Sequence, residues 1–300
     1  MMKKLLLILL CLPMIGFGQQ TYVPDDVFEE YIETNFPLAD NGVVNDNYVK
    51  TTGVNLVPYL LLAPAPNGGL ANGIITDLTG IEDFKSLYHL DIQNQQISEI
   101  DLSQTKFNSF SFGYPLINIG SNNLLNKIIL PNDTVGNTTI TANNFMEELI
   151  FLDSIFFNSQ FQISYNTSLL SCDISVIIGI GGGAGFQVWN NNSLEILNLA
   201  NGFCNNWSAV SISGNPTLFC IQVDNPNYSE IVWSWNGLLI DPLLYSYSTN
   251  CGWPSSISDH TSNKQLLKVT DLLGRETKGT NQSLFYIYDD GTVEKRIVIE

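Results

Sequence analysis

Five stretches of the chain repeat one pattern, Ile/Val-x-x-Asn-x-x-Leu/Met-x-x-apolar-x-apolar, starting at Ile119, Ile140, Ile163, Val188 and Ile212. The asparagines are Asn122, Asn143, Asn166, Asn191 and Asn215, and Leu125, Met146, Leu169, Leu194 and Leu218 follow three residues later. The copies close on the pairs Ile128 and Leu130, Leu149 and Phe151, Cys172 and Ile174, Leu197 and Leu199, and Ile221 and Val223. Self-similarity at a period of about 20–50 residues marks a repeat architecture, because one such unit cannot bury its apolar face alone and must stack on its neighbours.

First and last anchors are always 11 residues apart, whereas the copies start 21, 23, 25 and 24 residues apart. The length variation falls in the return segments 131–136, 153–160, 175–185 and 200–208. These are expected to be loops on one side of the solenoid, a place where contact surfaces form. Most copies also carry an apolar residue two positions before the first anchor (Ile117, Phe161, Phe186, Val210), Thr138 being the exception. Each coil therefore reads as two brief period-2 strands. A short amide at the bend between them can bond backbone groups.

Upstream, Leu87, Leu90, Ile92, Gln95 and Ile97 follow the leucine-rich-repeat spacing, with Gln95 where asparagine is usual. Over residues 74–225 the chain resembles the irregular leucine-rich-repeat proteins exported by Gram-negative bacteria. The resemblance implies a β-rich leucine-rich-repeat solenoid, here assigned to residues 74–251. Before it, residues 24–35 place Val27, Phe28, Tyr31 and Ile32 at helical spacing, with acidic residues in the first turn and Pro37 just beyond. Solenoids need covered ends, so residues 19–73 are read as an N-terminal cap built on this helix.

The first 18 residues have the three parts of a cleavable secretory signal: Lys3 and Lys4, an apolar run from Leu5 to Phe17, and the small Gly16 and Gly18 before Gln19. The apolar run is too short for a membrane span, which needs about 20 residues. Cys11 is expected to leave with it. No other stretch is apolar for about 18 residues, so no membrane span is expected in the remainder.

Residues 252–263 are rich in Ser, Pro and Gly and read as a linker. Residues 264–300 are strand-like, with segments 266–270, 284–288 and 292–299 and a hairpin signal at Asp290-Gly291, giving a small C-terminal β segment. LLKVTDLLGRE and the terminal LFYIYDDGTVEKRIVIE are similar to the type A sorting domain of the type IX secretion system. The matching residues are Leu273, Gly274, Arg275, Tyr286, Tyr288, Gly291 and the strand from Lys295. The resemblance implies the type IX machinery as a partner and passage across the outer membrane.

Charge removes one class of partner. Residues 19–263 hold 23 acidic and only 4 basic residues, and between Lys127 and Lys264 there is no Lys or Arg. Binding to a phosphate backbone rests on those side chains, so nucleic acid is excluded. The four cysteines after the leader, Cys172, Cys204, Cys220 and Cys251, contain no CxxC pair, and His89 and His260 lie far apart. Zinc spacing is therefore missing. Export favours disulfides, of which three pairings exist, and Cys220–Cys251 is preferred because the two flank the end of the repeats; buried free thiols are the alternative.

No catalytic constellation is visible, and no cofactor or metal is expected. Gly179 to Gly185 reads GIGGGAG but lacks the Lys-Ser/Thr of a phosphate loop, so a flexible return loop is expected. Trp189 falls at an outward strand position and Trp207 in a return segment, where exposed aromatics suit contact with sugar or protein; partial burial against a neighbouring coil is the alternative. With Asn190 and Asn192 beside Trp189, that coil is the first choice for a contact surface. The expected function is a secreted or outer-surface, non-enzymatic binding or adhesion protein recognising protein or glycan. The alternatives are an exported glycan hydrolase using a carboxylate pair and a structural envelope component.

Overall fold

The computed structural model describes residues 19–64, 73–108, 115–152, 155–180, 184–202, 209–233, 245–252, 266–270, 275, 282–288 and 293–298. The signal segment 1–18, Trp207, Cys204, Leu273, Gly274 and Gly291 lie outside the described residues. The chain divides into two compact units, Met1–Cys251 and Gly252–Glu300.

The first unit opens with β1 (Gln20–Tyr22), α1 (Asp26–Asn35), β2 (Tyr48–Lys50), a single turn α2 (Thr51–Val54) and β3 (Tyr59–Leu62). It continues with β4 (His89–Gln93), β5 (Glu99–Asp101), β6 (Leu116–Gly120), β7 (Lys127–Ile129), β8 (Thr134–Val135), β9 (Thr138–Thr141), β10 (Glu148–Ile150), β11 (Ile155–Phe157), β12 (Gln160–Ser164) and β13 (Ser171–Asp173). Then come β14 (Ile177–Ile180), β15 (Gly185–Trp189), β16 (Ile196–Asn198), β17 (Ala209–Ser213), β18 (Cys220–Gln222) and β19 (Ser246–Ser248). Seven strands form one parallel sheet in the order β17-β15-β12-β9-β6-β4-β3. The second strands of the coils form two further sheets, β10-β7-β5 and β13-β16-β18-β19. The unit is a β-solenoid, and the five repeats read in the sequence are five of its coils.

Parallel in-register stacking turns the period-2 apolar positions into continuous columns. Leu62, Ile92, Ile119, Ile140, Ile163, Val188 and Ile212 are register partners from strand to strand, and all are fully buried. The column two residues earlier runs Leu60, Leu90, Ile117, Thr138, Phe161, Phe186, Val210. Successive members lie about 4.8 Å apart, the spacing of hydrogen-bonded strands, so each side chain rests on its equivalents above and below.

The repeat asparagines close the bend between the first and second strands, and all five are buried. Each Oδ1 accepts the backbone N–H of the equivalent residue one coil earlier: Asn215 from Asn191 at 2.9 Å, Asn191 from Asn166, Asn166 from Asn143 and Asn143 from Asn122, each at 3.1 Å. Each Nδ2 donates to the carbonyl of the first anchor of that earlier coil, as Asn166 does to Ile140 at 3.0 Å. Gln95 ends this ladder. Its N–H donates to Asn122 Oδ1 at 2.9 Å, while its own Oε1 accepts the Ile75 N–H at 2.8 Å.

The return segments differ from the loops expected of them. Three contain a third strand, and β14-β11-β8 form a parallel sheet of their own. Val135, Ile155, Phe157 and Ile177 from this sheet are buried in the common core. The third strands begin 12, 12 and 11 residues after Asn122, Asn143 and Asn166, so much of each return segment is as constant as the strands before it. Gly179 and Ile180 of the glycine-rich stretch lie in β14 and Gly185 opens β15, while 181–183 are outside the described residues.

At the N-terminal end α1 has Asp25 as N-cap. Its Oδ1 accepts Val27 N–H and Phe28 N–H, and its Oδ2 accepts Thr76 N–H, Thr76 Oγ1–H and Asp77 N–H. One nearly buried carboxylate thus ties the helix to a segment 51 residues away. Tyr31 Oη accepts the Leu61 N–H of β3 at 2.9 Å, and Phe28, Tyr31 and Ile32 join the same core as the repeat columns. The long sheet reaches into the 19–73 segment, since β3 pairs with β4 from Tyr59 to Leu62. The Tyr-Leu-Leu-Leu of β3 lacks the polar–apolar alternation that marks a half-buried strand in a sequence.

At the other end β19 pairs with β18, and Cys220 and Cys251 form a disulfide with Cα atoms 5.8 Å apart. Cys172 is instead a free, buried thiol in a core column, its pKa pushed up by that burial. In the second unit β20 (Leu266–Thr270), β21 (Gln282–Tyr288) and β22 (Val293–Val298) make an antiparallel sheet. Tyr286 pairs with Val269 and Glu294, Lys295 stands opposite Phe285, and Arg275 is exposed.

Two substitutions test this account by chemical denaturation. Asn166→Ala leaves the buried Asn143 N–H without its acceptor, removes a second donor from the Ile140 carbonyl, and should cost about 1–3 kcal/mol, the cost of one buried group left unpaired. Thr138 Oγ1 is buried in a column of apolar side chains with no partner. Thr138→Val should therefore raise stability by about 1 kcal/mol, since it removes an unsatisfied hydroxyl and keeps the shape.

Candidate functional site

Alternation that sends one set of side chains into the core sends the other outward, and in-register stacking arranges those in rows as well. On the long sheet one outward row runs Asp91, Asn118, Thr139, Gln162, Gln187, Ser211 and a second Gln93, Gly120, Thr141, Ser164, Trp189, Ser213. From β6 to β17 no outward position is Asp, Glu, Lys, Arg or His. Apart from Leu116, Ala209, Gly120 and Gly185, the face is built of amides and hydroxyls with one indole, and Ser164 within it is fully buried among its neighbours.

These groups hold one another in place. Asp91 Oδ1 accepts from Gln93 Nε2 at 2.7 Å and Asn118 Nδ2 at 3.0 Å. Ser164 Oγ accepts from Gln162 Nε2 at 2.9 Å and shares a hydrogen bond of 2.9 Å with Thr141 Oγ1. Trp189 Nε1–H donates to Ser211 Oγ on the next coil at 3.0 Å. Among the described residues, Thr139 and Gln187 make no side-chain hydrogen bond and present their full donor and acceptor capacity outward.

Trp189, expected at an outward position, is there and half-buried, its indole edge pinned to the neighbouring coil. Asn190 is half-buried at the corner after β15, with φ +55°, and Asn192 is exposed in the following turn, its carbonyl accepting Thr217 Oγ1–H at 3.0 Å. Trp189 and Asn190 thus bracket one edge of the polar face.

The corner itself was not legible from the repeat consensus. The residue before each ladder amide has left-handed φ: Asn94, Ser121, Ala142, Tyr165, Asn190 and Gly214, at 54° to 65°. Five residue types occupy those six positions, so no composition signal marks the corner. Nor did the sequence reading single out the large apolar side chains standing exposed beside the ladder, namely Leu124, Phe145, Tyr165, Leu170 and Phe219, each more than half accessible.

Acidic side chains cluster elsewhere. A groove of about 380 Å3 is lined by Asp77, Glu82, Glu99 and Asp101 among others. Most have structural partners: Asp77 Oδ1 accepts Thr79 N–H, Glu82 Oε2 accepts Gly80 N–H, and Asp101 Oδ1 accepts Ser103 N–H. Glu99 pairs with Lys127 at 3.0 Å, which raises the lysine pKa. Glu29, in α1, is buried and accepts N–H groups from Asp46 and Asn47; its pKa is raised because burial outweighs them. Among the described residues no group of His, Cys, Asp and Glu could hold a metal ion, and no helix is long and apolar enough to cross a membrane.

No protein-family model matches the chain, and no curated protein is significantly similar to it in sequence.

At Gly214 an added Cβ would lie 2.2 Å from Asn190 Oδ1, the end of a side chain that would have to move. Gly214→Ala should lower stability by about 1–2 kcal/mol, the cost of a left-handed alanine. It should also displace the Asn190 carboxamide, visible as chemical-shift changes confined to the Trp189–Asn190 edge.

Proposed function

We propose that this chain is an exported, non-enzymatic binding or adhesion protein, secreted or held at the outer cell surface, that recognises protein or glycan through the outward face of its long sheet. The repeat unit is a leucine-rich-repeat solenoid capped at its N-terminal end by residues 19–73, and residues 264–300 act as a type IX sorting segment engaging that secretion machinery. The observation that carries the binding reading is the face itself: ordered rows of uncharged hydrogen-bonding groups, interlocked by contacts such as Trp189 to Ser211, on a sheet whose other side is the core. Binding groups held rigid before a ligand arrives lose less entropy on binding. The disulfide between Cys220 and Cys251 fits an oxidising compartment.

The acidic groove favours one other reading, a glycan hydrolase working with a carboxylate pair among Asp77, Glu82, Glu99 and Asp101. Against it stand the ion pair and the turn hydrogen bonds that engage these groups. Polysaccharide turnover by the full chain that vanishes in Glu99→Gln would establish the hydrolase and overturn the non-enzymatic reading.

Gln187→Arg tests the face. A surface substitution of this kind should leave stability within about 0.5 kcal/mol. It should weaken capture on glycan and peptide arrays at least about tenfold, a difference of about 1.4 kcal/mol. Undiminished binding would move the site off the sheet. Deleting residues 266–300 tests the address: periplasmic retention of the truncated chain in fractionated cells is the expected result, and unchanged release would leave those residues without a sorting role.

A further inference from the structure

We infer that the stretch of the long sheet from β6 to β17 takes a neutral, extended polysaccharide laid across the strands. This rests on the binding reading above and names the ligand class. The chain carries a formal charge of −17, and residues 19–263 hold 23 acidic side chains, yet none of the outward positions on these five strands is ionisable. A partner recognised by charge would meet the acidic side chains elsewhere and find nothing here to pair with. Protein interfaces draw their binding energy from clustered aromatic and arginine anchors, and this face has a single indole.

What it has instead suits sugar hydroxyls. A hydroxyl both donates and accepts, and Asn118, Thr139, Gln162, Gln187 and Ser211 do the same. These five are consecutive register partners, one per strand. Their spacing along the stack is about 4.8 Å, on the order of one sugar unit in an extended chain. A polymer lying across the strands therefore meets an equivalent polar group at each unit. Trp189, beside Gln187 on β15 and held by Ser211, supplies an oriented aromatic face for the apolar side of one ring.

The test is affinity electrophoresis of the full chain in gels carrying neutral polysaccharides (mixed-linkage β-glucan, xyloglucan, galactomannan) or the anionic alginate. Oligosaccharides of the retarding polymer then follow by calorimetry. Retardation by at least one neutral polymer is expected, unchanged when salt is raised so that the Debye length shortens from about 10 Å to a few Å. Affinity should climb with oligosaccharide length and level off at about five units, one per strand. Trp189→Ala and Gln187→Ala, each checked for unchanged circular dichroism and melting temperature, should weaken binding about tenfold.

No retardation by any neutral polymer, or retardation by alginate alone that salt abolishes, overturns the inference. If peptides are then captured through the same face, and lost in Gln187→Arg, the glycan assignment falls and the binding reading stands. If neither glycan nor peptide binds, both fall.

Discussion

The asparagine ladder is the constraint on which the solenoid depends. At every corner the chain turns out of one strand and into the next, which leaves an N–H unpaired inside the core, beside a strand carbonyl that can accept a second hydrogen bond. An unpaired buried polar group of this kind costs about 1–3 kcal/mol, and the coils present it repeatedly. Asn122, Asn143, Asn166, Asn191 and Asn215 satisfy both groups with one side chain each, always in the coil before their own. That reach from coil to coil sets the register. Once register is set, the apolar columns follow inward and the polar rows outward.

The ends show how the same logic is terminated. Gln95 carries the ladder to Ile75, and Tyr31 accepts an N–H from the outermost strand of the long sheet. Asp25 binds helix α1 to residues 76 and 77 through one carboxylate. At the opposite end β19 pairs with β18 and a disulfide joins Cys220 to Cys251. Open sheet edges invite pairing with other chains, and at the edge strand β3 the Leu61 N–H is already taken by Tyr31.

Legibility in the sequence followed the strictness of the physical demand. The inward positions, the ladder amides, the helix at 26–35 and the Cys220–Cys251 pair could be read because burial, capping and closure each admit few residue types. The third strands β8, β11 and β14 were not read, although they recur 11 or 12 residues after the ladder asparagine, because two to four residues are too few to show a period. The left-handed corner left no trace, since Ser, Ala, Tyr, Asn and Gly all serve there. Leu124, Phe145 and their exposed neighbours sit outside the repeat consensus, so the pattern was silent about them.

By itself, then, the amino-acid sequence determined that this chain must stack coils and which repeat residues fill the core, because an apolar pattern that cannot be buried within one unit has to be buried between units. Only the tertiary structure decided what the polar half of each strand becomes. Alternation says that Asn118, Thr139, Gln162, Gln187 and Ser211 point away from the core; it does not say that they meet. They meet because the ladder holds five strands in parallel register, and that turns scattered polar residues into a continuous uncharged surface.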